Sequence, residues 1–191
     1  EIVVDESIKP VSKLEFELAN DGDYYKVIGT GMELENKIII PETHNDIPVK
    51  EIADNAFINV NSIKEIVIPK SIVKIGAKAI DNNPSIRFTV SKNSAAYNWL
   101  VIEGYTNLDV KIALETIKLA ENISLVYGEQ REFKAEILPA DTTDAVNLVW
   151  TVEDETVVTY DAETATLTAA GLGTTTVTVT DSISGKTATS T

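Results

Sequence analysis

The chain has 191 residues, 43% hydrophobic and 24% charged, which supplies enough apolar side chains for a packed core and excludes wholesale disorder. Its 30 acidic and 16 basic residues leave a formal charge of -14, which repels phosphate and argues against nucleic acid and anionic membranes as partners. With no cysteine, disulfides, thiolate metal sites and cysteine nucleophiles are all excluded.

The length falls between one large domain and two small ones. No run approaches the roughly 18 apolar residues of a membrane helix, so no membrane insertion is expected. Residues 1–25 lack the basic start and apolar stretch of a secretory signal. The chain opens at Glu1 without a methionine, and Lys186–Thr191 alternates like a strand cut short, so a fragment or a form trimmed at both ends is expected.

In chain order, Leu14–Leu18 and Tyr24–Gly29 flank the turn sequence NDGD and predict a hairpin. A repeat follows. Val49, Ile52, Ala56, Phe57 and Ile63 recur 23 residues later as Ile72, Ile75, Ala79, Ile80 and Ile86. Upstream, Ile38, Ile40 and Pro41 recur as Ile66, Ile68 and Pro69 at a spacing of 28, which predicts a surface loop for the extra residues at ETHND, 42–46. A period of this length with the pattern L-x-x-L-x-L, filled by Ile63, Ile66 and Ile68, marks stacked coils that bury one another's apolar edges and need caps. The hairpin suits one end. At the other, NSAAYNWLVIEGY begins with Asn93 or Ser94 as N-cap and carries Tyr97, Trp99 and Leu100, which predicts a short helix over the last coil.

Residues from about 12 to 107 resemble BspA-like leucine-rich repeats of bacterial surface proteins, whose units read L-x-x-I-x-I-P-x-x-V-x-x-I-G-x-x-A-F. Ala53 stands where that unit has glycine, Ile80 where it has phenylalanine, Glu35 at the first apolar position of the first unit, and IRFTVSK is a degenerate third unit.

From about Lys111 the texture changes to threonine-rich alternation. Phe133, Ala135 and Ile137, then Val146, Leu148, Trp150 and Val152, then Leu167 and Ala169, then Val177 and Val179 alternate with polar residues, as half-buried antiparallel strands do. Gly128, Pro139, Asp161, Gly171, Gly173 and Gly185 divide them at lengths suited to a sandwich. Residues 112–191 resemble the group 2 bacterial immunoglobulin-like domain: Gly128 precedes the second strand, Pro139 ends it, Trp150 is mid-strand in the core, and TAAGLGTTTVTVT turns into a threonine strand. The family's serines after the tryptophan strand are replaced by Glu153, Asp154 and Glu155.

The expected fold class is therefore α+β, mostly β: a short leucine-rich-repeat solenoid with capping hairpin and short helices at 1–110, then an all-β immunoglobulin-like sandwich at 111–191. Residues able to carry chemistry are few. His44, the one histidine, has no paired nucleophile and is expected as a solvated loop residue. Asp21 and Asp23 around Gly22 lack the spacing of a calcium loop and suit a turn. Glu153, Asp154 and Glu155 with Asp141 and Asp144 either gather a hard cation or form a solvated acidic face, and the second is the commoner use of such runs. Trp150 is expected in the core. Tyr24, Tyr25, Tyr97 and Trp99 either pack in the caps or offer rings to a sugar or protein, and their area favours packing.

No catalytic, cofactor or metal site is expected, and no enzyme activity. Both resemblances imply an exported, non-catalytic module at the bacterial cell surface that contacts a host or bacterial surface protein or a glycan, with the sandwich as spacer; separately, a monomer is expected. The alternative they imply is an accessory, non-catalytic region of a larger secreted enzyme.

Overall fold

The structure is a computed structural model, and it describes residues 14–31, 36–58, 60, 62–80 and 84–191. Glu35 lies outside the described residues. Two compact units divide between Lys111 and Ile112.

In the first unit, β1 (Leu14–Leu18) and β2 (Tyr25–Thr30) form the expected antiparallel hairpin. Next come β3 (Lys37–Ile39), β4 (Thr43–His44), β5 (Ile47–Ile52), β6 (Glu65–Ile68), β7 (Lys74–Ile75), β8 (Arg87–Ser91), α1 (Ala95–Ile102) and β9 (Leu108–Lys111). These strands build two parallel ladders. One runs β3-β6-β8-β9, and the other stacks β2, β5 and β7. Isoleucine and valine suit these short strands because branched side chains pack well on a pleated surface. Proline has no amide to donate, so Pro41 and Pro69 follow the strands rather than continue them.

Registers follow the sequence repeat. Ile38 pairs Ile66, Ile52 pairs Ile75, and Phe57 bridges Ile80. The degenerate unit stacks too, with Phe88 on Ile66 and Val90 on Ile68. The ladders face each other across one core that includes Val49, Phe57, Ile66, Ile72 and Phe88. At the far end Ser94 is the N-cap of α1, its Oγ accepting the Tyr97 N–H at 3.1 Å. Gly104, at φ 84°, ends the helix in the left-handed conformation that glycine adopts without strain. Ala96 and Leu100 seal the last coil, while Tyr105 packs edge-on to Phe88 and donates its hydroxyl to Ile80 O at 3.2 Å.

Short helices were expected in the plural, yet α1 is the single helix among the described residues. Between Ala53 and Ile58 the chain makes only tight turns, with Ala56 N–H on Ala53 O and Ile58 N–H on Asn55 O. The extra residues at ETHND do lie at the surface, with Glu42, Thr43, Asn45 and Asp46 exposed, but they form a hairpin rather than an open loop. Thr43 and His44 pair with Pro48 and Ile47, and Asn45 and Asp46 hold φ of 49° and 64°, the left-handed pair typical of a type I′ hairpin turn.

The coils approach each other closely at Gly76. A Cβ there would collide with the Asp54 carboxylate and amide nitrogen and lie 2.7 Å from the Ala53 carbonyl carbon. Gly76→Ala is expected to destabilise the repeat unit by about 2–3 kcal/mol, read as a lower urea midpoint. An unchanged midpoint would mean that the coils slide apart freely at this point.

The second unit contains β10 (Thr116–Lys118), β11 (Gln130–Glu132), β12 (Glu136–Leu138), β13 (Leu148–Val152), β14 (Val158–Asp161), β15 (Thr166–Ala169), β16 (Val177–Asp181) and β17 (Thr187–Ser190). All their pairings are antiparallel: β10 with β12, β11-β15-β14, and β13-β16-β17. The single strand expected through Phe133, Ala135 and Ile137 is divided. Its first part, β11, pairs β15, and its second, β12, pairs β10, so the segment changes sheets at Phe133–Ala135. Two apolar clusters result, around Leu114, Ile117 and Val179 and around Phe133, Leu167 and Val177, with Trp150 against both. The segment read as a strand cut short forms β17, and all four of its residues pair with β16.

Candidate functional site

Side chains alternate across a strand, so burying Ile38, Ile66 and Phe88 turns their neighbours outward. The outward face of β3-β6-β8-β9 carries Lys37, Glu65 and Arg87 in one row and Ile39, Val67, Thr89 and Asp109 in the next. The charges are matched within the face. Lys37 Nζ meets Glu65 Oε1 at 2.9 Å, Arg87 meets Asp109 Oδ2 at 3.0 Å, and Lys111 Nζ meets Asp109 Oδ1 at 3.1 Å. Hydrogen bonding from Lys111, then the nearby Lys111 and Arg87 charges, holds the Asp109 carboxyl below its ordinary range. Beside these pairs Ile39 is 38% exposed, next to half-buried Val67. Exposed pairs of this kind add little stability. They do provide exchangeable donors and acceptors around an apolar strip, which suits contact with a protein or a sugar.

A polar network ties the hairpin to the coils. Glu51, buried, accepts the Tyr24 hydroxyl at 3.1 Å and Lys74 Nζ at 2.8 Å. Those bonds raise the pKa of both Tyr24 and Lys74. Its role is structural, since Glu51 and Lys74 are register partners on adjacent coils.

His44 is not the solvated loop residue expected. The β4–β5 hairpin folds against the cap, so the imidazole is half-buried, stacked on Phe16 at 4.0 Å and edge-on to Tyr25 at 4.8 Å. Asp21 and Asp23 flank a turn in which Asp21 Oδ1 accepts the Asp23 N–H. Asp144 caps Leu114 N–H at 2.8 Å, and Asp154 binds the Thr156 hydroxyl and N–H at 2.6 and 2.9 Å. Among the described residues no group of three or more His, Cys, Asp or Glu side chains could hold a metal ion. Trp150 stacks on Tyr160 at 4.3 Å and meets Phe133 edge-on, half-buried rather than enclosed. Tyr25, Tyr97 and Trp99 are half-buried against the repeat core, and Trp99 stacks on Tyr105.

Asp181 was not singled out from the sequence. It is fully buried in the sandwich and accepts four hydrogen bonds: from the Ser184 hydroxyl at 2.5 Å and from the N–H groups of Asn147, Ser184 and Ile183 at 2.8, 2.9 and 3.5 Å. The Ser184 hydroxyl first, and then the amides, lower its pKa from 3.8 to about 2. The one available signal was an aspartate on the inward side of the alternation that continues Val177 and Val179. A pocket of about 240 Å³ in the same unit is lined by Val157, Leu167, Val177 and Thr175 among others, and it brings no side-chain acid, base or nucleophile pair together. No helix among the described residues is long and apolar enough to cross a membrane.

Residues 115–191 match the family described as Bacterial Ig-like domain (group 2). No curated protein matches the chain in sequence. Among solved structures it is similar to the T. pallidum leucine-rich repeat protein, at 23% identity and a TM-score of 0.38 over 41% of this chain and 36% of that one. It is also similar to a leucine rich cell surface protein from Faecalibacterium prausnitzii, at 28% identity and a TM-score of 0.36 over 42% of this chain and 22% of that one. The chain thus matches well under half the length of either protein. Its parallel, in-register coils form a short solenoid within residues 14–111, and its antiparallel sheets form a sandwich within 112–191, the part that carries the match to the bacterial Ig-like family.

Proposed function

We propose that this chain is a non-catalytic adhesion or interaction module of an exported bacterial surface protein, with the outward face of β3-β6-β8-β9 as contact surface and the sandwich as spacer. The observation that carries the reading is the strip of Ile39 and Val67 framed by self-matched ion pairs. Such a strip gives a partner apolar area to cover without stranding a charge. The ligand is a host or bacterial surface protein or a glycan.

The test is a screen of the full chain on glycan and extracellular-matrix arrays, followed by titration of any hit. Ile39→Asp with Thr89→Arg is expected to weaken saturable binding by about 10-fold or more, while a substitution in the sandwich leaves it unchanged. Binding that ignores the face variants would refute the assignment of the surface. Silence on every array would favour a spacer role for the whole chain.

A further inference from the structure

We infer that the open edge of β13 pairs antiparallel with the β13 of a second copy of this chain, joining two β13-β16-β17 sheets across a two-fold axis. Strand β13 lies at the end of its sheet, so one row of its backbone N–H and C=O groups faces away from β16.

The other sheet ends among the described residues carry features that discourage such pairing. Strand β1 holds Glu15 and Glu17 and a bulge, β9 holds Asp109 and Lys111, and β11 reads Gln-Arg-Glu. Strands β4 and β7 have two residues and β3, β10 and β12 three, while β14 ends in Asp161. Strand β17 is flanked by chain, with Ser190 Oγ donating to Ala120 O and Ile123 N–H to Thr191 O. Strand β13 reads Leu-Val-Trp-Thr-Val, with no charge, proline or bulge. Exposed strands of that kind are templates for a further strand.

Burial makes a second, independent argument. On the central strand β16, Val177 and Val179 are 5% and 0% exposed, whereas the inward residues of β13, Leu148, Trp150 and Val152, are only half-buried. Tyr160, stacked on Trp150, is half-buried as well. Strand β14 approaches β13 here through Tyr160 but still leaves these side chains half-buried, so one more strand would cover them further. On the outward face Val149 is 47% exposed.

The register favours a second copy as occupant. With Trp150 on the two-fold axis, Val149 lies opposite Thr151, Leu148 opposite Val152 and Asn147 opposite Glu153. Branched side chains then face each other, which stabilises cross-strand pairs, and the acidic run Glu153–Glu155 meets Asn147, Val146 and Ala145 rather than itself. A single strand pair covers less than the roughly 1,200 Å² of a standard interface, so the dimer is weak. Each copy carries a net charge of -14, so added salt strengthens it.

Sedimentation equilibrium of the full chain from about 10 µM to about 1 mM, at low and high salt, tests this. The average mass should climb from 20.8 kDa towards twice that value, more readily in salt. Amide protection that grows with concentration should appear in residues 147–153. Val149→Lys with Thr151→Lys, both at exposed positions, should cut self-association at least about 10-fold with circular dichroism unchanged. A chain that stays monomeric throughout, or a dimer indifferent to these lysines, overturns the inference. If the double variant does not fold, the wild-type exchange pattern decides, and protection gained elsewhere but not at 147–153 overturns it equally.

Discussion

Phe88→Ala is expected to destabilise the repeat unit by about 3–5 kcal/mol, a large share of what a unit of this size has to lose. Phe88 is wholly buried in β8, between Ile66 on one coil and Leu108 on the next, with Tyr105 edge-on at 5.0 Å. Truncation leaves a cavity whose walls are parallel strands, and neighbouring coils cannot close it without breaking register. The aromatic contact is lost as well, worth about 0.5–1.5 kcal/mol beyond its area. Urea unfolding read by hydrogen exchange should show the loss within residues 14–111 and leave the protection of 112–191 unchanged. Equal loss in both units would show that they unfold as one, and a midpoint near wild type would remove Phe88 from the centre of the core.

Asp181→Ala is expected to lower the melting temperature of the sandwich by about 5–10 °C, because the part-buried hydrogen bonds from the N–H groups of Asn147 and Ser184 lose their buried acceptor. The charge also sets an acid limit. Its folded pKa, about 2, lies below the ordinary 3.8, so the carboxylate's stabilisation is complete above about pH 4 and is lost as pH falls through 2. Melting temperatures of the wild type should therefore fall between pH 4 and 2, and those of Asp181→Asn should fall less steeply over the same window. Parallel curves would mean that other carboxylates, such as Asp154 and Asp161, carry the acid sensitivity.

Wherever periodicity and burial coincide, the architecture was legible from the residues. The 23-residue recurrence of Ile52 as Ile75 and of Phe57 as Ile80 is reproduced as ladder register, because stacked coils must bury equivalent side chains against one another. Ser94 as N-cap was legible for a similar reason, since a helix entry needs an acceptor and few residues supply one. Other features depend on contacts distant in sequence. Nothing local in Phe133–Ala135 says that the chain changes sheets there, because the alternation is the same whichever sheet receives it. The Glu51 network joins Tyr24 and Lys74 across 27 and 23 residues, and His44 finds Phe16 only once two hairpins have met. The candidate face was legible as a location, the outward side of the isoleucine strands. Its matched charges emerged only with the register, since Lys37 and Glu65 are neighbours only after a full coil has been traced.

The β4–β5 hairpin carries a consequence for how such arrays vary. Five extra residues enter the first coil, yet Ile38 still pairs Ile66 and Ile52 still pairs Ile75. The added length leaves through a turn at Asn45 and Asp46 and returns before the next rung begins. Pitch is therefore fixed in this solenoid while circumference is not. A coil can gain or lose residues at that corner and keep its place in the stack, so the outline of the molecule can diversify around an unchanged spine.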